Sequence, residues 1–335
     1  MAFRHNINKE ETTIYGGSII YKGSKTLQLD KGQDYVDQGH YIREDGMRVD
    51  WVVAFDGHGN DSCINVIRKA NLSEIMTKEN PAEELQKCID ESKQPSYMKL
   101  SSGATFICAK MCETDIVVEL EISYAGDSTA IVIQNDQHIF TTDPHNCKNA
   151  KQMMQLIKKG VVSAMNPTTV TAKSFALVNS DTIISKPGEY INLQTDRETS
   201  GIFQISPASS LGHDGLYGGL DVDTVKFTFN KEDSIRVVLT SDGVTDVVSF
   251  KDKIFIEANS ATNIIDYAYS RWRQTWNYFV EPDFSKMKCT KFPANGYDDC
   301  CAAMIDRKPY REPVPVPPVE SQIHPVEAQI HPLEG

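Results

Sequence analysis

The sequence predicts a layered α+β domain, and three observations carry that reading. Short β-rich runs broken by Gly, Asp and Asn recur along most of the 335 residues. Helical candidates stand in separate blocks instead of alternating with single strands. "AIVIQNDQHIFTT" reads as a hairpin turning at Asn135-Asp136. Hairpin-linked strands with segregated helices point away from a doubly wound parallel sheet.

Taken in order, "GGSIIYKGSKTLQLD" and "RVDWVVAFDG" are the first strand runs. "SCINVIRKANLSEIMTKENPAEELQKCIDESK" follows as a pair of helices broken at Asn80-Pro81. "GATFICAKMC" and "DIVVELEISYAGDSTAIVIQNDQHIFTT" return to strands, and "NCKNAKQMMQLIKKG" is a helix closed by Gly160. Residues 165–215 read as a polar insertion or flap with short strands. "LDVDTVKFTFN" and "SIRVVLTSDG" are strands again. In "SATNIIDYAYSRWRQTWNYF" a helical stripe of Ile264, Ala268, Trp272 and Trp276 faces the core, with Arg271 and Arg273 on a solvated face. The sequence therefore divides into one folded unit, 1–307, and a tail, 308–335. The tail is Pro-rich and repeats "PVESQIH" as "PVEAQIH", a composition that buries no core and suits either a solvated spacer or a docking segment for a partner.

A net charge of −12 and a pI near 5.2 exclude nucleic acid and anionic membrane surfaces as bulk partners. An anionic substrate would need local positive charge, which bound metal supplies. No apolar run approaches the roughly 18 to 20 residues of a membrane span. The first residues lack the apolar core of a signal peptide, so the expected location is the cytoplasm. The eight cysteines show no zinc-ribbon spacing and read as small core residues, with Cys63 the thiol most open to oxidation.

The candidate chemistry lies in acids at the ends of strand runs. Asp56 ends one in "WVVAFDGHGNDSC", ahead of Gly57 and His58. Asp127 follows another, Asp242 ends a third with Asp246 four residues on, Asp298 and Asp299 precede a fourth, and Asp34 lies between two more. A carboxylate at the edge of a core is costly unless paired or bound to metal. Mg²⁺ and Mn²⁺ take oxygen donors, for which short Asp side chains at neighbouring strand mouths are suited. Each acid taken singly is equally a solvated turn residue.

"VVAFDGHGN", "GATFICAK", "ISYAGDSTAIV", "VVLTSDGVTDVV" and "GYDDCCAAMI" occur in the order found in metal-dependent protein phosphatases of the PPM type, type 2C. The sequence resembles that family from Gly16 to Asp306. The resemblance implies a four-layer αββα arrangement, a sandwich of two antiparallel sheets flanked by helix pairs. It also implies hydrolysis of phosphoserine and phosphothreonine in protein substrates with two Mn²⁺ or Mg²⁺ ions and a weaker third. By that resemblance Asp56 bridges both ions, the Gly57 carbonyl binds one, and Asp242 and Asp298 bind the other. Asp127 and Asp246 join Asp242 at the third, Asp34 is the acid of the N-terminal motif, and His58 is the general acid. Neither the nucleophile loop of the cysteine-based phosphatases nor a Walker loop is present.

The sequence also departs from the family. Leu29 stands where an Arg grips the phosphate, and Lys25 or Lys31 would be only a point charge in its stead. Gln33 replaces a Glu, Asp299 a frequent Asn, and in "SSLGHD" His213 stands where an acid is expected. A catalytically weak relative that binds phosphoproteins or partners is the alternative these departures raise. A structural protein whose acids are turn residues is a third.

Overall fold

In the computed structural model, the structure describes residues 12–20, 32–161, 169–171, 175–179, 183–186, 189–194, 202–213, 216–280, 287–292 and 297–309. The N-terminal half contains β1 (Thr12–Ile20), β2 (Tyr35–Ile42), β3 (Arg48–Phe55) and β4 (Gly57–Gly59), then α1 (Ser62–Ile67), α2 (Leu72–Ile75), α3 (Pro81–Glu91) and α4 (Ser96–Leu100). Five strands follow: β5 (Ser102–Ala104), β6 (Phe106–Glu113), β7 (Val117–Ala125), β8 (Thr129–Gln134) and β9 (Gln137–Thr141). After α5 (Ala150–Lys158) come the short strands β10 (Thr169–Thr171), β11 (Phe175–Val178), β12 (Ile183–Lys186), β13 (Glu189–Gln194), β14 (Ile202–Ile205) and β15 (Leu211–Gly212). The chain then runs through β16 (Asp223–Asn230), β17 (Ile235–Thr240), α6 (Asp242–Thr245), α7 (Ile254–Glu257) and α8 (Ala261–Arg273). It closes with β18 (Thr275–Val280), β19 (Met287–Lys291) and β20 (Cys300–Arg307).

Two five-stranded antiparallel sheets form the centre, ordered β16-β7-β6-β3-β2 and β1-β20-β17-β8-β9. One apolar cluster lies between them and includes Val52, Ile107, Ile122, Val132, Val237 and Ile305. A second joins Trp51, Phe55 and Phe106 to α1, α2 and α3, and a third joins Ile131, Val238 and Met304 to α6, α7 and α8. This explains the two strand patterns. β3 and β20, covered on both faces, are almost continuously buried, whereas β16 at a sheet edge alternates. The hairpin at Asn135-Asp136 is present, with φ of 51° and 61°, the left-handed pair of a type I′ turn.

Register decides where the loops gather. Tyr35 opposes Phe55, Ala54 opposes Ile107, and Phe106 opposes Ala125. Residues 34, 56, 105 and 126 therefore emerge at one end of the first sheet. In the second sheet Thr240 opposes both Thr129 and Ala302, so residues 128, 241 and 300 share an end. The short β7–β8 link makes these the same end of the sandwich.

Three sequence expectations about the helices need correction. The helical stretch after His58 holds three helices before Ser92, not two, because Asn71 accepts a capping bond from the Glu74 amide and starts α2 separately. The Ile264-Ala268-Trp272 stripe is helical, but α8 ends at Arg273. Trp276 reaches the same cluster from β18, whose Thr-Trp-Asn-Tyr-Phe-Val run suits a strand. Arg271 is 5% exposed, not solvated. Its guanidinium lies 3.4 Å from Asp252 and stacks on Tyr267 and Trp276, which makes burial of the charge tolerable.

None of the eight cysteines forms a disulfide, and five of them are buried. Cys63 is among these, and burial pushes its thiol far up, so oxidation through the thiolate is disfavoured there. Cys289 is the exposed one. No helix among the described residues is long and apolar enough to cross a membrane. Leu29, Lys25, Lys31 and the tail beyond Pro309, including its docking segment, lie outside the described residues.

Candidate metal centre

The strand ends deliver the acids. Asp34 precedes β2, Asp56 separates β3 from β4, and Asp127 lies in the β7–β8 link. Asp242 is the first residue of α6, immediately beyond β17, and Asp298 lies two residues before β20. The Asp56 amide donates to Thr105 Oγ1 at 3.0 Å, and the Thr105 amide returns a bond to the Asp56 carbonyl at 2.8 Å. Thr105 in turn meets Ser128 at 2.6 Å, so the loop carrying Asp127 is tied to the one carrying Asp56. The Gly57 amide donates to the Gln33 carbonyl at 3.1 Å.

Electrostatics report that these acids face one another. Burial holds the Asp56 carboxyl well above the carboxylate range, and Asp242, Asp34, Asp298 and Asp127 push it further. Asp34, 1% exposed, is raised by burial, against a hydrogen bond from Ser241, and then by Asp299, Asp298 and Asp242. Carboxylate oxygens of Asp242, Asp246 and Asp298 lie within 4.8 Å of one another.

The donor set fits a hard divalent cation. It is all oxygen, and its buried members repel one another in a way that only added positive charge would relieve. Cys300 and Cys301 adjoin the acids, and burial, then Asp34, holds both thiols well above their ordinary range.

Gln33 occupies the position expected to be Glu. Its amide nitrogen donates to the Gly59 carbonyl at 2.8 Å and to Asp61 at 3.0 Å, and its backbone amide donates to Asp299 at 3.0 Å. It acts as a tie between three loops. Asp299 is buried and accepts that bond, a role for which a carboxylate serves as well as an amide.

His58, on β4, places Nδ1 3.0 Å from His213 Nε2, and the two rings are nearly parallel at 4.8 Å. Burial, then His213, lowers the His58 pKa to about 3.

Sequence reasoning passed over Ser241, whose hydroxyl accepts from the Cys301 amide at 2.9 Å, and read Trp272 only as a core-facing residue, not as the indole donor to the Gly243 carbonyl at 2.9 Å. Neither carries a local signal, since each acts across elements remote in sequence. Trp272→Phe removes that indole donor beneath α6. Leaving the Gly243 carbonyl unsatisfied costs about 1–3 kcal/mol, read as a lower midpoint in urea at unchanged slope.

No protein-family profile matches the chain, and no curated protein matches it. Solved structures do. A serine-threonine phosphatase 2C from Toxoplasma gondii matches with a TM-score of 0.52 at 11% identity, over 89% of this chain and 97% of that one. The fold is that of the type 2C protein phosphatases. Two further structures match less closely. A C. elegans sex determining protein has a TM-score of 0.49 at 15% identity, over 89% of this chain and 66% of that one. The catalytic domain of the Mycobacterium tuberculosis phosphatase PstP, in complex with 2 manganese ions, has a TM-score of 0.41 at 12% identity, over 88% of this chain and 100% of that one.

Proposed function

We propose that this protein hydrolyses phosphoserine and phosphothreonine in other proteins at a site that binds two Mn²⁺ or Mg²⁺ ions. The observation that supports this most is the mutual repulsion of Asp56, Asp34, Asp242, Asp298 and Asp127 at one end of the sandwich. Asp56 and the Gly57 carbonyl would hold one ion, Asp56 with Asp242 and Asp298 the other, and Asp127, Asp242 and Asp246 a weaker third. Asp34, buried and repelled by Asp298 and Asp242, would belong to the same set. Ions bound there supply an activated water near neutral pH and positive charge for the phosphoryl oxygens. The chain's own part is to fix these carboxylates before substrate arrives and to place His58 as the ring that, once it has taken up a proton, passes it to the departing serine or threonine oxygen. Eight cysteines without a disulfide among them are in keeping with a reducing compartment, the cytoplasm.

The test is release of phosphate from a phosphopeptide with Mn²⁺ added, for the full chain and for Asp242→Ala. Turnover should require the metal, cease with EDTA and fall about 10³-fold or more in the variant, the scale of several kcal/mol of lost charge stabilisation. Activity indifferent to both would sink the reading.

A second reading, a catalytically weak relative that binds phosphoproteins, is favoured by one observation: the Gln33 amide is spent on Gly59 and Asp61 and offers no charge to the site. Phosphopeptide binding without turnover under excess Mn²⁺ would select it.

A further inference from the structure

His213 departs from the family pattern, and its surroundings give it a definite task. A small antiparallel sheet ordered β15-β5-β4 brings it to His58. Gly103 of β5 opposes His58 on one side and Gly212 on the other, so the two histidines converge over Gly103. A Cβ on Gly103 would stand 2.3 Å from His213 Nε2 and 2.5 Å from His58 Cε1. Only glycine lets the rings meet there.

His213 is 3% exposed and is fixed on three sides. Its Nδ1 lies 2.8 Å from the Leu100 carbonyl, Tyr217 packs edge-on at 5.6 Å, and the adjacent Gly212 amide donates to Gln86 at 2.9 Å. A carbonyl oxygen can only accept, so the proton of a neutral His213 is on Nδ1 and its Nε2 carries a lone pair. Burial disfavours a charged ring at that position. The 3.0 Å contact then requires His58 to donate through Nδ1–H, which leaves His58 Nε2, buried and without a hydrogen-bond partner, as its lone-pair atom.

We propose that His213 is a positioning residue that locks His58 in the Nδ1–H tautomer, so that Nε2 is the atom through which His58 exchanges protons. The tautomer stands on the geometry alone. Its catalytic consequence rests on the phosphatase reading above. A carboxylate in this place would accept the same bond; a second imidazole accepts it only because Leu100 dictates which of its nitrogens is free.

The experiment is nuclear magnetic resonance on the full chain labelled with ¹⁵N-histidine, without metal or substrate. Expected are a protonated Nδ1 and an unprotonated Nε2 on His58, with an N–N coupling across the hydrogen bond to His213. His213→Gln, whose Oε1 still accepts, should keep the Nδ1–H form, and His213→Leu should lose it. With Mn²⁺ and a phosphopeptide, His213→Leu should lower kcat about 10-fold, with KM within about twofold, and His213→Gln should recover it, within the range of proton-transfer catalysis. A proton on His58 Nε2 in the unmodified protein, or a tautomer unchanged in His213→Leu, overturns the proposal. An unchanged kcat in that variant overturns its catalytic consequence. Should His213→Leu fail to fold, the coupling in the unmodified protein decides. An inactive protein with the expected tautomer would sink the phosphatase reading and leave this one standing.

Discussion

Asp56→Asn is expected to make the metal-free protein more stable while removing its metal response and its turnover. Asp56 is buried against Asp242, Asp34, Asp298 and Asp127, and its carboxyl is raised well above the ordinary value as a result. For a group whose folded pKa lies above its unfolded one, the favourable contribution is complete below the unfolded value, about 3.9, and disappears as pH rises through the folded value. Near neutral pH the ionised form is therefore a liability that bound cations offset. Asparagine keeps the shape and discards the charge. Metal-free Asp56→Asn should melt about 2 °C or more above the unmodified protein at pH 7, and the gap should narrow toward pH 4. Adding Mn²⁺ should raise the unmodified protein's melting point and leave the variant's unmoved, since a ligand stabilises only what it binds. Phosphate release should fall about 10³-fold or more. A variant that melts lower than the parent without metal would contradict the repulsion on which the site is built.

Gly243→Ala should damage the same site by a different route. Gly243 lies in α6 beside Asp242, and its φ is not in the left-handed region, so alanine is acceptable to the backbone itself. Space is what forbids it. A Cβ would stand 1.9 Å from the Asp299 carbonyl oxygen and 3.2 Å from Asp298 Cβ. Neither neighbour is the end of a flexible side chain, so α6 or the segment 297–299 must move. Either shift separates Asp242 from Asp298 and strains the Trp272 bond to the Gly243 carbonyl. Overpacking of this kind costs about 1–3 kcal/mol, and displaced ligands lower metal affinity about 10–100-fold. Calorimetric titration with Mn²⁺ beside a urea melt reads both, and unchanged affinity would show that the two loops are not in the contact described.

These two expectations depend on different levels of information. The carboxylates could be picked out one by one from the sequence, because an acid at the end of an apolar run is costly unless something compensates it. The hairpin at Asn135-Asp136 and the helix closed at Gly160 were equally legible, since turn chemistry is local. Arg271 was not. Its exposure depends on Asp252, Tyr267 and Trp276, and the sequence spacing of arginines says nothing of such partners. The end of α8 was missed because Trp276 continues the apolar stripe while its backbone has already become strand.

By itself the sequence determined the type of most elements and marked the acids at strand ends as candidate oxygen donors, since propensity, turn chemistry and burial cost act over a few residues. Only the tertiary structure decided that Gln33 ties three loops, that Gly243 and Gly103 are gaps others occupy, and that His213 faces His58. Those facts arise from strand register and loop approach, where residues up to 266 positions apart come within hydrogen-bond reach, and no local pattern encodes that distance.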